Sequence, residues 1–158
     1  MNTENPVAKR SGFGLSLKGR ALRLLAAREH SRTELERKLA AHEETPGQLA
    51  QVLDDLQAKD FISEARVVES VIHRRSARFG AARIRYELQN KGLGADLVAD
   101  AMSSLKTTEL ERAREVWRKK FREPALDVAG RAKQMRFLAT RGFSGEVIRR
   151  VVSQAEED

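Results

Sequence analysis

The chain has no cysteine, which excludes a disulfide, a thiolate zinc site and a thiol nucleophile. Long apolar runs are also missing. No stretch approaches the length needed to span a bilayer, and residues 1–16 hold no apolar segment resembling the core of a signal peptide. The expected location is therefore the cytoplasm, with residues 1–16 as a flexible N-terminal tail. His30, His42 and His73 lack the spacing of metal ligands, and nearby Ser and Asp residues fit helix caps better than catalytic partners. Gly12-Phe13-Gly14 has neither the length nor the Lys-Ser/Thr ending of a phosphate-binding loop. No catalytic residue, metal or cofactor is expected, and no enzymatic activity.

Aromatics are scarce at 5%, whereas charged residues reach 34% and Leu, Ala, Arg and Glu dominate. Such a composition favours helices held by aliphatic stripes and predicts an all-α protein. The formal charge of +7 favours polyanionic partners, either nucleic acid or the acidic surface of a nucleoprotein.

The chain repeats itself at a spacing of about fifty residues. Ser31, Leu35, Leu39, Leu49, Val52, Leu53 and Leu56 return as Gly80, Ile84, Leu88, Val98, Ala101, Met102 and Leu105. A further copy runs through Gly130, Gln134, Leu138, Ile148, Val151 and Val152, with Met135 expected to substitute for the polar Gln134. Such a period marks a supersecondary unit that buries its stripe and stacks on its neighbours.

Capping signals divide each unit into three helices. Ser31-Arg32-Thr33-Glu34, Thr45-Pro46-Gly47-Gln48 and Thr108-Glu109-Leu110-Glu111 read as capping boxes, the second with Pro at the first helical position. The first helix is expected over Arg20 to Glu29, and Ser63 opens the second unit. Asp127 and Ser144 are further caps, and Lys91-Gly92 and Arg141-Gly142 read as left-handed helix ends. Expected domains are the tail (1–16) and three-helix repeats over 17–61, 62–106 and 107–158. Helices of roughly twelve residues are about 18 Å long, so three units in series predict an elongated, curved body. A monomer is expected, because each unit can bury its stripe within the chain.

Charge is segregated among the helices. Arg74, Arg75, Arg78, Arg83, Arg85 and Lys91 stand against Glu87 alone. Downstream, Arg112, Arg114, Arg118, Lys119, Lys120, Arg122, Arg131, Lys133, Arg136 and Arg141 face only Glu115, Glu123 and Asp127. Third helices are neutral or acidic, so units stacked in register would form a basic strip; the competing account is a solvated, solubilising face. Trp117, Phe121, Phe137 and Phe143 are expected in the core, with Phe13 and Phe79 left open.

Four blocks resemble the RecX family of regulators of the bacterial recombinase RecA. They are ALRLLAAREHSRTEL from Ala21 to Leu35, LQAKDFISEAR from Leu56 to Arg66, FGAARIRYEL from Phe79 to Leu88 with Lys91-Gly92-Leu93, and FLATRGFS from Phe137 to Ser144. Departures fall at turn and packing positions: Asp60 where the family often has Gly, Glu64 for Asp, Val67 for an aromatic, Ala81 for Pro. The resemblance implies tandem three-helix repeats and no enzymatic activity. It further implies binding in the groove of the RecA–DNA filament, with loss of ATP hydrolysis, strand exchange and co-protease activity through blocked extension or filament destabilisation.

Charge position, rather than a family motif, nominates the contact residues: Arg74, Arg75, Arg78, Arg83, Arg85, Lys91, Arg118, Lys119, Lys120, Lys133, Arg136 and Arg141. The alternative is a helical protein that binds single- or double-stranded DNA directly and without sequence preference. Against sequence-specific binding, the third helices begin Pro46-Gly47-Gln48, Ala95-Asp96 and Gly145-Glu146 rather than with base-reading side chains.

Overall fold

Apolar residues three and four apart form a stripe that is stable only when covered, and here each unit covers its own. A computed structural model describes residues 14–155; of the expected tail, residues 1–13 lie outside the described residues. Nine α-helices occur among the described residues: α1 (Leu17–Ala27), α2 (Arg32–Leu39), α3 (Gln48–Ala58), α4 (Glu64–Arg75), α5 (Ala81–Asn90), α6 (Ala95–Lys106), α7 (Glu109–Phe121), α8 (Val128–Thr140) and α9 (Gly145–Gln154). A short 3₁₀ turn, Ala40–His42, follows α2. None of these helices is long and apolar enough to cross a membrane.

Three separate cores match the three copies of the repeat. Leu35, Leu39, Leu49, Leu53 and Leu56 lie in the first, Ile84, Leu88, Val98, Ala101, Met102 and Leu105 in the second, and Leu138, Ile148, Val151 and Val152 in the third. Gln134 keeps the buried place that the repeat assigns it, because its Oε1 accepts from Trp117 Nε1 at 3.0 Å and its Nε2 donates to the Glu123 carbonyl at 3.1 Å. Met135 is only partly buried beside it. Trp117 and Phe143 are buried as expected, while Phe121 and Phe137 meet edge to face, 5.3 Å between centroids, at the core margin.

Local sequence sets many of the helix ends. Ser31 and Glu34 form a reciprocal capping box, and Ser63, Asp127 and Ser144 each accept a hydrogen bond from the first turn of the helix they open. Gly92 and Gly142 take left-handed φ values of 69° and 89° after α5 and α8. Asp60 also takes a positive φ, 65°, which accounts for the glycine common there in the resembling family; its carboxylate and carbonyl accept from Arg66 at 3.0 and 2.6 Å.

Three local expectations are corrected. Thr45 makes no box: α3 starts after Gly47, at φ 87°, so Pro46 lies outside the helix, and Glu43 Oε2 accepts from Leu49 N instead. Thr108 makes none either: its hydroxyl donates to the Leu105 carbonyl at 3.3 Å, and the Glu111 carboxylate that would complete the box pairs with Arg114 at 2.6 Å. The first helix begins at Leu17 and ends at Ala27, since Ser16 caps it.

Candidate interaction surface

What turns three cores into one surface is a joint used twice, in which the start of a unit's second helix docks on the turn after the next unit's second helix. At the first joint Ser31 Oγ donates to the Lys91 carbonyl at 2.6 Å and Arg37 donates to the Asn90 carbonyl at 2.7 Å. Lys91 Nζ donates to Glu34 at 2.9 Å, with both side chains nearly covered. Gly92 sits so close to Thr33 that a Cβ there would overlap the threonine side chain.

The second joint uses backbone for the same purpose. Gly80 N donates to the Arg141 carbonyl at 2.8 Å and Ala82 N to the Gly142 carbonyl at 3.3 Å, while the buried Glu109 carboxylate accepts from Ala81 N. The free N–H groups at the start of α5 are thus satisfied by the third unit. Arg112 closes the other side, donating to the Ser76, Phe79 and Leu105 carbonyls at 2.8–3.0 Å. Burial lowers its pKa from the ordinary arginine value, and the nearby Glu109 carboxylate partly offsets that. A residue counted in the basic strip from sequence is therefore an internal clamp.

The nominated cations divide into two groups. Arg74, Arg78, Arg85, Arg118, Lys119, Lys120, Lys133 and Arg136 are exposed, with Arg118 and Lys119 both near Glu115 at 2.9 and 4.0 Å. Arg75, Arg83, Lys91 and Arg141 stand at the joints. Arg75 Nε lies 3.2 Å from Glu87 Oε2 yet makes no hydrogen bond although buried.

Phe79, left open from sequence, organises this junction. The guanidinium carbons of Arg75, Arg83 and Arg141 stand 5.7, 4.3 and 5.4 Å from its ring centroid, within the range of cation–π attraction. Arg141 also stands 5.1 Å from the Phe137 ring, which Lys120 approaches at 5.6 Å. Cations from α4, α5, α7 and the end of α8 are so gathered around two phenyl rings across two units. Lys133 and Arg136, exposed on α8, are not part of this gathering.

Beside the junction an open cleft of about 790 Å³ is bordered by all three units, including Arg37 and Glu34 of the first, Arg83 and Tyr86 of the second and Thr140 of the third. Arg37 and Tyr86 were not singled out as candidates from sequence. Tyr86, 67% exposed within an otherwise aliphatic pattern, carried the signal that could have found it.

Comparison with known proteins supplies a framework for this arrangement. Three family models match in series: "RecX, first three-helix domain" over residues 18–56, "RecX, second three-helix domain" over 63–102 and "RecX, third three-helix domain" over 107–152. The chain is 59% identical over 144 residues to the regulatory protein RecX of Leptothrix cholodnii, covering 91% of this chain and 92% of that one. It is 45% identical over 142 residues to the regulatory protein RecX of Ralstonia nicotianae, covering 90% and 89%. Its fold is similar to the crystal structure of RecX from Lactobacillus salivarius, with a TM-score of 0.74 at 19% identity over 90% of this chain and 96% of the other.

Proposed function

The chain belongs to the RecX family of non-enzymatic regulatory proteins, and on that footing we propose that it regulates the recombinase RecA, mainly as an inhibitor. It binds the groove of the RecA–DNA filament and suppresses ATP hydrolysis, strand exchange and co-protease activity by blocking extension or destabilising the filament. The observation that carries the reading beyond membership is the gathering of Arg75, Arg83, Arg141 and Lys120 from two units onto one face. A series of similar units suits a partner that is itself periodic, because linked weak contacts raise avidity without any one being strong. The protein acts as a monomer in the cytoplasm, and DNA held in the filament is an additional contact.

The test is the rate of single-stranded-DNA-dependent ATP hydrolysis by the cognate RecA as the protein is titrated in. Inhibition at sub-stoichiometric ratios is expected. The combined variant Arg74→Glu, Arg78→Glu, Arg85→Glu should require roughly tenfold more protein, since losing three surface charge contacts at a few tenths of a kcal/mol or more each adds to about 1.4 kcal/mol. These positions are exposed, whereas reversing Arg75 or Lys91 would also disturb a joint. An unchanged rate, together with DNA binding that falls steeply with salt, would replace this reading with direct DNA binding.

A further inference from the structure

The cleft beside Phe79 has a charge pattern that a polyanion does not fit. Two of its lining carboxylates are already engaged: Glu87 by Arg75 at 3.2 Å, and Glu34 by Arg28 at 2.7 Å and Lys91 at 2.9 Å. Arg75 and Lys91 are correspondingly neutralised. Arg83 and Arg141 are different. Arg83 spends one hydrogen on the Thr140 carbonyl at 3.3 Å and has no carboxylate among the described residues; Arg141 stands beside the cleft, against its Phe79 wall rather than among the lining side chains, and among the described residues its guanidinium has the Phe79 and Phe137 rings and no carboxylate.

Each guanidinium carries five donors in a planar fork, so most of this capacity is unspent. The Phe79 ring fixes both groups in place, which lowers the ordering cost of receiving an anion. Arg37 also lines the cleft, with one hydrogen on the Asn90 carbonyl, and so does the exposed Tyr86.

We infer that this cleft receives an acidic peptide segment of a protein partner, one Asp or Glu carboxylate seated on Arg83 and Arg141 and the adjoining chain packed on Tyr86. The inference rests on the reading of this face as the partner-binding one and adds the chemistry of what it binds. A carboxylate is planar and pairs bidentately with a guanidinium. A phosphodiester chain carries a charge at every nucleotide and needs a series of open cations, which the cleft does not offer because Arg75 and Lys91 are spent on Glu87 and Glu34; a single carboxylate needs only the cations left open. Tyr and Arg are also the side chains on which interface affinity most often concentrates.

The experiment is fluorescence anisotropy of the full chain with a short fluorescein-labelled peptide of alternating Glu and Ala, and with an oligothymidylate of matched charge, at physiological salt. The paired variant Arg83→Gln, Arg141→Gln should weaken peptide binding about tenfold, the size of loss expected for a central arginine contact. The pair Arg149→Gln, Arg150→Gln, two exposed charges on α9 away from the cleft lining, should leave it within about twofold.

Equal losses in both pairs would overturn the site in favour of diffuse charge. Loss of oligothymidylate binding with the peptide unaffected would overturn it in favour of nucleic acid. Arg83→Lys, Arg141→Lys keeps the charge and the ring contacts but not the fork, and should also weaken the peptide; it carries the test if the Gln pair melts early. RecA inhibition that persists when peptide binding is absent would remove the cleft and leave the regulator standing. Peptide binding without any effect on RecA would do the reverse.

Discussion

Glu34 accepts hydrogen bonds from three donors on three parts of the chain: Arg28, Lys91 and its own cap N–H at Ser31. Burial raises the pKa of such a carboxyl, but these three donors more than offset it and leave it at about 2, against an ordinary 4.5. A carboxyl held below its unfolded value stabilises the fold above that value and loses the contribution as pH falls through 4.5 toward 2. The size is about 3 kcal/mol at pH 7 by linkage. Glu34→Gln should therefore lower stability by about 2–3 kcal/mol in urea melts at pH 7, and the gap between variant and parent should narrow between pH 5 and pH 2.5 as the parent loses the Glu34 contribution.

The capping role of Glu34 is readable from Ser31-Arg32-Thr33-Glu34 because both partners lie within one turn. Its bond to Lys91 is not, with 57 residues between them. The same contrast holds for His30, a fully buried residue whose Nδ1–H donates to the Arg28 carbonyl while Nε2 accepts from Lys38. Burial is the main reason its pKa falls below 6.5, and the flanking cations Arg28 and Lys38 add to it. Absence of metal-ligand spacing was visible in the sequence; the packed corner that holds the ring was not.

At the scale of elements, α5 shows why a helix start can be legible while its cap is not. Gly80 offers no side chain, and the donors of Gly80, Ala81 and Ala82 go to Arg141, Glu109 and Gly142 of another unit. Gly80 has ordinary extended backbone, φ −78° and ψ 169°, so a side chain there is unstrained by itself. It is excluded by space: a Cβ would overlap the Gly142 carbonyl and the Phe143 nitrogen. Gly80→Ala should therefore destabilise by about 2 kcal/mol or more, through overpacking and loss of the joint's hydrogen bonds. Hydrogen exchange should locate the loss at the amides of residues 80–82, with α1–α3 unaffected. Protection at those amides equal to the parent's would refute this account of the joint. Thr108 teaches the same lesson in reverse, since a sequence that spells a capping box spends its threonine on the Leu105 carbonyl and its Glu111 on Arg114.

At the scale of the whole molecule the two joints share a geometry but differ in chemistry. The first depends on ion pairs, Glu34 with Lys91 and Glu29 with Arg66, besides its side-chain-to-carbonyl bonds. The second depends on backbone pairing and the Arg112 clamp. Salt screens partly exposed charges and leaves backbone hydrogen bonds nearly untouched. Of these pairs Glu29–Arg66 is partly exposed and Glu34–Lys91 nearly covered, so raising sodium chloride from low to molar concentration should speed exchange in the first turn of α4, around Arg66, a few-fold, a change of about 0.5–1 kcal/mol, and less at residues 31–34 and 91–92. Exchange at residues 80–82 should stay within about twofold. Equal acceleration at both joints would show that ion pairs do not distinguish them. The proposed partner face crosses the second joint, the one held by backbone hydrogen bonds.

The repeat, the three cores, most helix ends and the all-α class follow from the sequence by itself, because each depends on side chains within a few residues or on a stripe that returns at fixed spacing. Leu39, Leu88 and Leu138 are buried for the same reason in every unit. The duty of each charge was decided only by tertiary structure. Arg112 and Arg83 look alike in a row of letters, yet one is sealed against three carbonyls and the other stands open over Phe79. Charge acts at a distance and in any direction, so composition and segregation told that a basic face exists. Which guanidinium keeps unspent donors was set by which units meet, through contacts such as Ala81–Glu109 and Phe79–Arg141 between residues 28 to 62 positions apart.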